Sequence, residues 1–217
     1  MTQQEQSPKL EGAQLKGVER WQKVARRIRV PLGFLTAALY LFELWRREPR
    51  PAAIAWSLLL VLPGLWLRAY ASGYVKKNQE LTTTGPYAHV RNPLYLGSIL
   101  IAAGFAVALE SWAVGLALAA MFAAIYVPVI ASEERFLRSA FPAFSEYCSR
   151  VPRLIPRLSP ARMPGQDREG RFVLQLYLKH REYNALLGAA MLYAALLFLR
   201  PALNLLFHHW GVNAFGS

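Results

Sequence analysis

Residues 93–132 read PLYLGSILIAAGFAVALESWAVGLALAAMFAAIYVPVIAS, forty residues with one charge, Glu110. A helix crosses a bilayer with about 20 apolar residues. The stretch is therefore long enough for two such helices, and Glu110-Ser111-Trp112 is the place for a tight turn between them. A core helix of a soluble domain would be unusual at this length and polarity. The reading is an all-α, polytopic membrane protein.

The same signal repeats on both sides. Pro51 to Leu67 is a third uncharged run, which continues past Arg68 to Val75, and Tyr183 to Leu199 is a fourth. Arg200 follows it, where a long side chain can reach back to the interface. Val30 to Phe42, with 13 uncharged residues, is a weaker fifth. About five spans are expected, because basic residues then fall on one side. Residues 1–29 hold seven Lys and Arg, 68–92 hold four, 133–182 hold ten, and the tail after Arg200 holds none. With the N-terminus in the cytoplasm all three basic segments lie there. Arg46, Arg47 and Arg50 are the misfit, and a hairpin dipping in from the cytoplasmic face over residues 30–75 is the alternative that removes it.

Composition agrees. The chain of 217 residues is 54% hydrophobic yet carries 25 Lys and Arg against 13 Asp and Glu, a net charge of +12. In a soluble protein that excess would point to nucleic acid. Here charge is segregated from the apolar runs, so a membrane surface is the partner and nucleic acid is not expected. Cys148 stands alone, which excludes an internal disulfide and a thiolate zinc cluster within one chain. Residues 1–29 lack an apolar core segment, so no cleaved signal peptide is expected, and with the short loops this points to a bacterial plasma membrane. His208 and His209 read as solvated tail residues.

Between the fourth and last runs, Phe136, Leu137, Phe141, Phe144 and Tyr147 recur near helical spacing. Residues 134–158 are read as an amphipathic helix against the membrane, ended by Pro152 and Pro156. Residues 159–182 are read as a cytoplasmic loop running into an interfacial helix.

Two polar segments stand at the same ends of the two clearest spans. The first is Leu81-Thr82-Thr83-Thr84-Gly85-Pro86-Tyr87-Ala88-His89-Val90-Arg91-Asn92-Pro93-Leu94-Tyr95-Leu96-Gly97. Gly85-Pro86 is a turn signal, and Asn92-Pro93 reads as a helix N-cap with proline at the first helical position. The free N–H groups of that helix start suit a carboxylate or hydroxyl-rich ligand. The simpler reading is a cap with aromatic and arginine anchors. The second segment is Ser132-Glu133-Glu134-Arg135. Paired carboxylates at the negative end of a helix dipole are unfavourable, so something positive should face them. Arg135 or Arg138 could do so from the same helix, and a cationic ligand is the functional alternative. Because the two spans form a hairpin, both segments emerge on one face. S-adenosylmethionine, with its carboxylate, ammonium, sulfonium, ribose and adenine, matches this set of donors, carboxylates and tyrosine rings.

The block from Gly85 to Gly97, and Glu133-Glu134 followed by Leu137, Phe141, Phe144, Tyr147, Val151 and Pro152, resemble the signature of the isoprenylcysteine carboxyl methyltransferase family, whose architecture the phospholipid N-methyltransferases share. The likeness covers roughly residues 79–157. It implies a single integral membrane methyltransferase domain over residues 1–217, using S-adenosylmethionine at the cytoplasmic face on a lipophilic substrate that enters from the lipid. By position, cofactor contacts fall on Gln79, Glu80, Leu81, Thr82, Tyr87, Asn92, Pro93, Leu94, Tyr95 and Glu133. Where many members carry His, this chain has Asn92, which cannot titrate near neutrality. Where eukaryotic members hold the substrate carboxylate with arginine, this chain has Val129, and the methyl acceptor is thereby left open. Glu134 or His89 would be the base if the acceptor is an amine or alcohol, and Arg153 a candidate anchor for an anionic head. The rival expectations are an NADPH-dependent membrane reductase of similar helical core and a non-enzymatic membrane scaffold.

Overall fold

A computed structural model describes residues 34–75, 80–164 and 170–199. The basic segment 1–29, Gln79 and the tail with His208 and His209 lie outside the described residues. Those described form helices and connecting segments, without a strand among them. Helix α1 covers 34–46, α2 Pro51–Ser72, α3 Pro93–Ala108, α4 Trp112–Ala140, α5 Phe144–Arg150, α6 Leu174–Lys179 and α7 Tyr183–Ala194. A 3-10 turn spans Gly85–Ala88, and Ala195–Leu199 continues α7 as a π-turn.

α2 and α4 are long and apolar enough to cross a membrane, while α3 and Tyr183–Leu199 are apolar but shorter. Only 22% of the apolar window of either long helix is buried within the protein. What remains outside is large and hydrophobic: Trp56, Leu59, Leu62 and Trp66 on α2, Leu116 and Val127 on α4, and Leu187 and Met191 on α7. Apolar surface on this scale is stable against lipid and not against water.

The expected turn forms where the charge interrupts the run. α3 ends at Ala108 and Glu110 takes a left-handed φ of 50°. Ser111 caps α4 by accepting from the Val114 amide, as a residue with a free hydroxyl does at this position. At the other end of α4 the structure departs from expectation. The helix does not stop at Ser132 but runs 29 residues to Ala140. Nothing at 132–133 breaks a helix, whereas Pro142 cannot continue one. The single amphipathic helix read over 134–158 is therefore divided between the last turns of α4 and the short α5. Phe144, Tyr147, Val151 and Ala161 nevertheless form one buried cluster, with Leu137 and Phe141 packed on it.

α2 and α3 lie backbone to backbone. A Cβ at Gly97 would come within 2.7 Å of the Gly64 carbonyl oxygen, and one at Gly104 within 2.9 Å of the Ser57 carbonyl oxygen. Small residues permit this approach, the usual way apolar helices associate in lipid. Around the pair, Tyr40 and Leu44 of α1, Val61 of α2, Phe105 and Leu109 at the end of α3, Val114 of α4, and Ala189 and Leu196 of the last helical segment form the main buried core. Tyr193 stacks obliquely on Phe105 at 4.9 Å, and its hydroxyl lies 2.7 Å from that of Ser57.

Arg46, Arg47 and Arg50, the misfit of the charge pattern, find carboxylate partners locally. Arg47 Nε donates to Glu43 at 2.6 Å and Ser111 donates to the same carboxylate at 3.1 Å. Arg46 lies 3.5 Å from Glu43. Arg50 grips both carboxylate oxygens of Glu110, and this hydrogen bond holds the Glu110 carboxyl below its usual range. The turn between α1 and α2 thus sits level with the turn between α3 and α4.

Gly97→Leu should force α2 and α3 apart and lower the melting temperature of the purified protein, by the roughly 1–3 kcal/mol of an overpacked contact or more. Gly188→Ala, where an added Cβ meets nothing within 4 Å, should leave it unchanged.

Candidate functional site

At the end of the bundle opposite Glu110 the helices part around a cavity of about 790 Å³, within the range of small-molecule sites. The start of α3 forms one wall and the late part of α4 the other. Asn92, Pro93, Leu94 and Tyr95 line it from α3, and Val129, Glu133 and Glu134 from α4. Tyr95 Oη donates to Glu133 Oε1 at 2.9 Å and bridges the two walls. Glu80, Leu81, Thr82 and Tyr87 complete the lining from the segment before α3.

The two adjacent glutamates have opposite circumstances. Successive helical residues point about 100° apart, so one faces the open mouth and the other the protein. Glu134 is buried, and Arg153 meets it through Nε at 3.0 Å and Nη2 at 2.5 Å, while Arg91 Nη1 lies at 3.1 Å. Its counter-ions come from two distant segments and not from Arg135 or Arg138. The bond to Glu134 raises the Arg153 pKa further. Glu133 is exposed to the cavity and, among the described residues, makes no ion pair.

The segment before α3 is fixed by the one after α5. Arg91 N donates to Pro152 O at 2.9 Å, Arg157 N to His89 O at 3.0 Å and Ala161 N to Ala88 O at 2.9 Å. His89 Nδ1 meets Arg157 O at 2.9 Å, so this ring belongs to the scaffold, and neither His89 nor Arg153 lines the cavity. Tyr147 donates to the Tyr87 carbonyl at 2.7 Å. Gly85 supplies a φ of 58° against the ring of Tyr74, where a side chain would collide. Burial, then the nearby Tyr147 and Glu133, push the Tyr87 phenol well above its usual range. It therefore stays a neutral donor and not a base. Asn92 occupies the N-cap position of α3, but its side chain makes no cap and donates instead to Arg153 O at 3.1 Å. The positive end of the α3 dipole at Pro93–Tyr95 thus opens on the cavity without a side-chain cap.

The sequence reading missed Arg68 and Glu182. Arg68 of α2 lines the cavity, reaches Leu94 O at 3.3 Å and pairs with Glu182 at 2.7 Å, joining α2 and α3 to the start of α7. It also bonds the Ser98 hydroxyl. Three buried side-chain polar atoms of lining residues have no hydrogen-bond partner: Arg68 Nε, Thr82 Oγ1 and Arg91 Nε. Buried polar atoms are ordinarily satisfied, so this wall holds an unusual number of unpartnered polar atoms. Among the described residues no group of three or more His, Cys, Asp or Glu is placed to hold a metal ion.

An all-helical protein with lipid-facing helices and a polar cavity at one end of its bundle is the class that fold and site define. Residues 54–143 match the family model for phospholipid methyltransferase. That segment contains both cavity walls. Over 95 residues the chain is 48% identical to the cobalt-zinc-cadmium resistance protein CzcN of Cupriavidus metallidurans, covering 44% of this chain and 43% of that one. It is 42% identical over 95 residues to the nickel-cobalt-cadmium resistance protein NccN of Alcaligenes xylosoxydans xylosoxydans, covering 44% of each. The likeness thus spans less than half the length of these relatives. No solved structure matches the chain significantly.

Glu134→Ala would strand Arg91 and the half-exposed Arg153. It should cost about 2–3 kcal/mol, less than a fully buried pair because Arg153 is partly screened. Glu133→Ala should change stability by no more than about 0.5 kcal/mol. Thermal melting of both variants in the same detergent compares the two carboxylates directly.

Proposed function

We propose that this chain is an S-adenosylmethionine-dependent methyltransferase that works at the cytoplasmic face of a membrane on a lipophilic acceptor with a polar head. The observation that carries the reading is the Tyr95–Glu133 bridge across a cavity that joins a helix start without a side-chain cap to a carboxylate with no ion pair among the described residues. In this reading α1 to α4 and Tyr183–Leu199 are five spans, α5 and α6 lie at the interface, and the N-terminus is cytoplasmic.

The residues fit the cofactor in kind. The helix start at Pro93, Leu94 and Tyr95 receives a carboxylate, Glu133 faces a cation or ribose hydroxyls, and the Thr82 hydroxyl offers a buried donor. The rings of Tyr87 and Tyr95 offer faces for adenine or the sulfonium. Glu80 and Leu81 close the near side, and Gln79 and Asn92 stay within the proposed contact set. When bound, the cofactor supplies a methyl group already activated for in-line displacement. The protein then has to align the two partners and exclude water, which the Arg68–Glu182 and Tyr95–Glu133 contacts do by fixing the walls. Glu134, Arg153 and His89, the expected acid–base and anchoring groups, have the partners of a scaffold, and we assign them the shape of the cavity.

CzcN and NccN are named for metal resistance. If that role extends to this chain, it acts through the methylated product, since the proposed site binds a sulfonium cofactor and not a metal.

S-adenosylhomocysteine should raise the melting temperature of the wild-type protein, because a ligand that binds only the folded state stabilises it, and NADPH should not. Calorimetry should find its affinity lost in Glu133→Ala at near-normal stability. An unshifted melt at saturating ligand, or unchanged affinity in the variant, overturns the assignment.

A further inference from the structure

Met121, Ile125, Val129 and Glu133 all line the cavity. Their spacing of four places them in one stripe along α4. The stripe is charged at the mouth and apolar from the first turn inward, since Val129 stands next to Glu133. Twelve residues at the α-helical rise put Met121 about 18 Å inward of Glu133, deep in the apolar part of the bundle. The facing wall is short, for α3 contributes nothing to the lining beyond Ser98. Tyr126 of α4 lines the cavity further in, its ring against Tyr95 of α3 at 4.9 Å and stacked on Phe122 at 4.5 Å. At the inner end a third helix meets the stripe. Thr36 of α1, itself buried, donates to Met121 Sδ at 3.7 Å. A bulky, unbranched side chain pinned by another helix is a stop, and one that yields to substitution without disturbing backbone contacts.

We propose that this stripe is the seat of the acceptor's apolar tail and that Met121, held by Thr36, sets the longest tail that fits. The inference rests on the methyltransferase reading for the head of the acceptor but not for the tail. An extended saturated chain lies along Val129 and Ile125 with its methyl end against Met121, and its head remains beside Glu133 at the mouth. Tails that reach past Met121 are rejected by contact, and shorter ones leave the inner end unfilled.

Straight-chain alcohols carrying a diazirine at the methyl end test this, built on decanol, tetradecanol and octadecanol and photolysed with the purified protein in lipid nanodiscs. In wild type the tetradecanol probe should label Met121 or Thr36 most strongly and octadecanol several-fold less. Met121→Ala should raise octadecanol labelling at least threefold, and Met121→Trp should lower that of tetradecanol by a similar factor while sparing decanol. S-adenosylhomocysteine affinity, measured on the same samples, should be unchanged in both variants and shows that they are folded. Labels spread over the lipid-facing Leu116 and Val127, or a chain-length order that neither variant alters, overturn the proposal. If the chain-length order holds while S-adenosylhomocysteine fails to bind wild type, the tail site stands and the methyltransferase reading falls.

Discussion

The carboxylate of Glu134 is the point where three stretches of chain meet. It extends from α4 and is held by Arg91, just before α3, and by Arg153, just after α5. A buried carboxylate without counter-ions is costly enough to prevent the fold from closing. With them it fixes the end of α4 against the start of α3 and leaves its neighbour Glu133 facing the open space between them. The backbone bonds from Arg91, Arg157 and Ala161, and the Tyr147 hydroxyl on Tyr87, belong to the same seam. The cavity is the gap that this seam props open.

A different constraint sets the other walls. Gly64, Gly97 and Gly104 bring α2 and α3 to backbone contact, which carries Arg68 next to Leu94 and Ser98 and lets it reach Glu182 across 114 residues. At the far end Glu43 and Glu110 pair with three arginines. The bundle is thus tied by charge at both ends and by close packing of apolar helices between, and the polar site occurs where the helices diverge.

Local signals carried much of this architecture. An uninterrupted apolar run with one charge marks a helical hairpin, and the Glu110 turn falls where the run is broken. Gly85-Pro86 and Asn92-Pro93 mark a turn and a helix start, and the second lies on the cavity. Long-range pairing was not legible. Arg135 and Arg138 were nearer in sequence to Glu134 than Arg91 and Arg153, and no pattern in one chain reports a partner 43 residues away in the sequence and a few ångströms away in space. Arg68 looked like a charge inside an apolar run, and Glu182 like part of a loop. α4 runs past Ser132 because a change from apolar to polar composition does not by itself end a helix; the chain leaves the helix just before Pro142. His89 and Asn92 show a further limit: their side chains are used for carbonyls of residues 153 and 157, a role that residue type alone does not distinguish from catalysis.

The central claim is spatial, and a structure answers it most directly. Cryo-electron microscopy of the protein in nanodiscs with saturating S-adenosylhomocysteine should show ligand density between Pro93–Tyr95 and Glu133, beside Thr82 and Tyr87. Density elsewhere, or an α3 start and an α4 end that do not share a cavity, would contradict it.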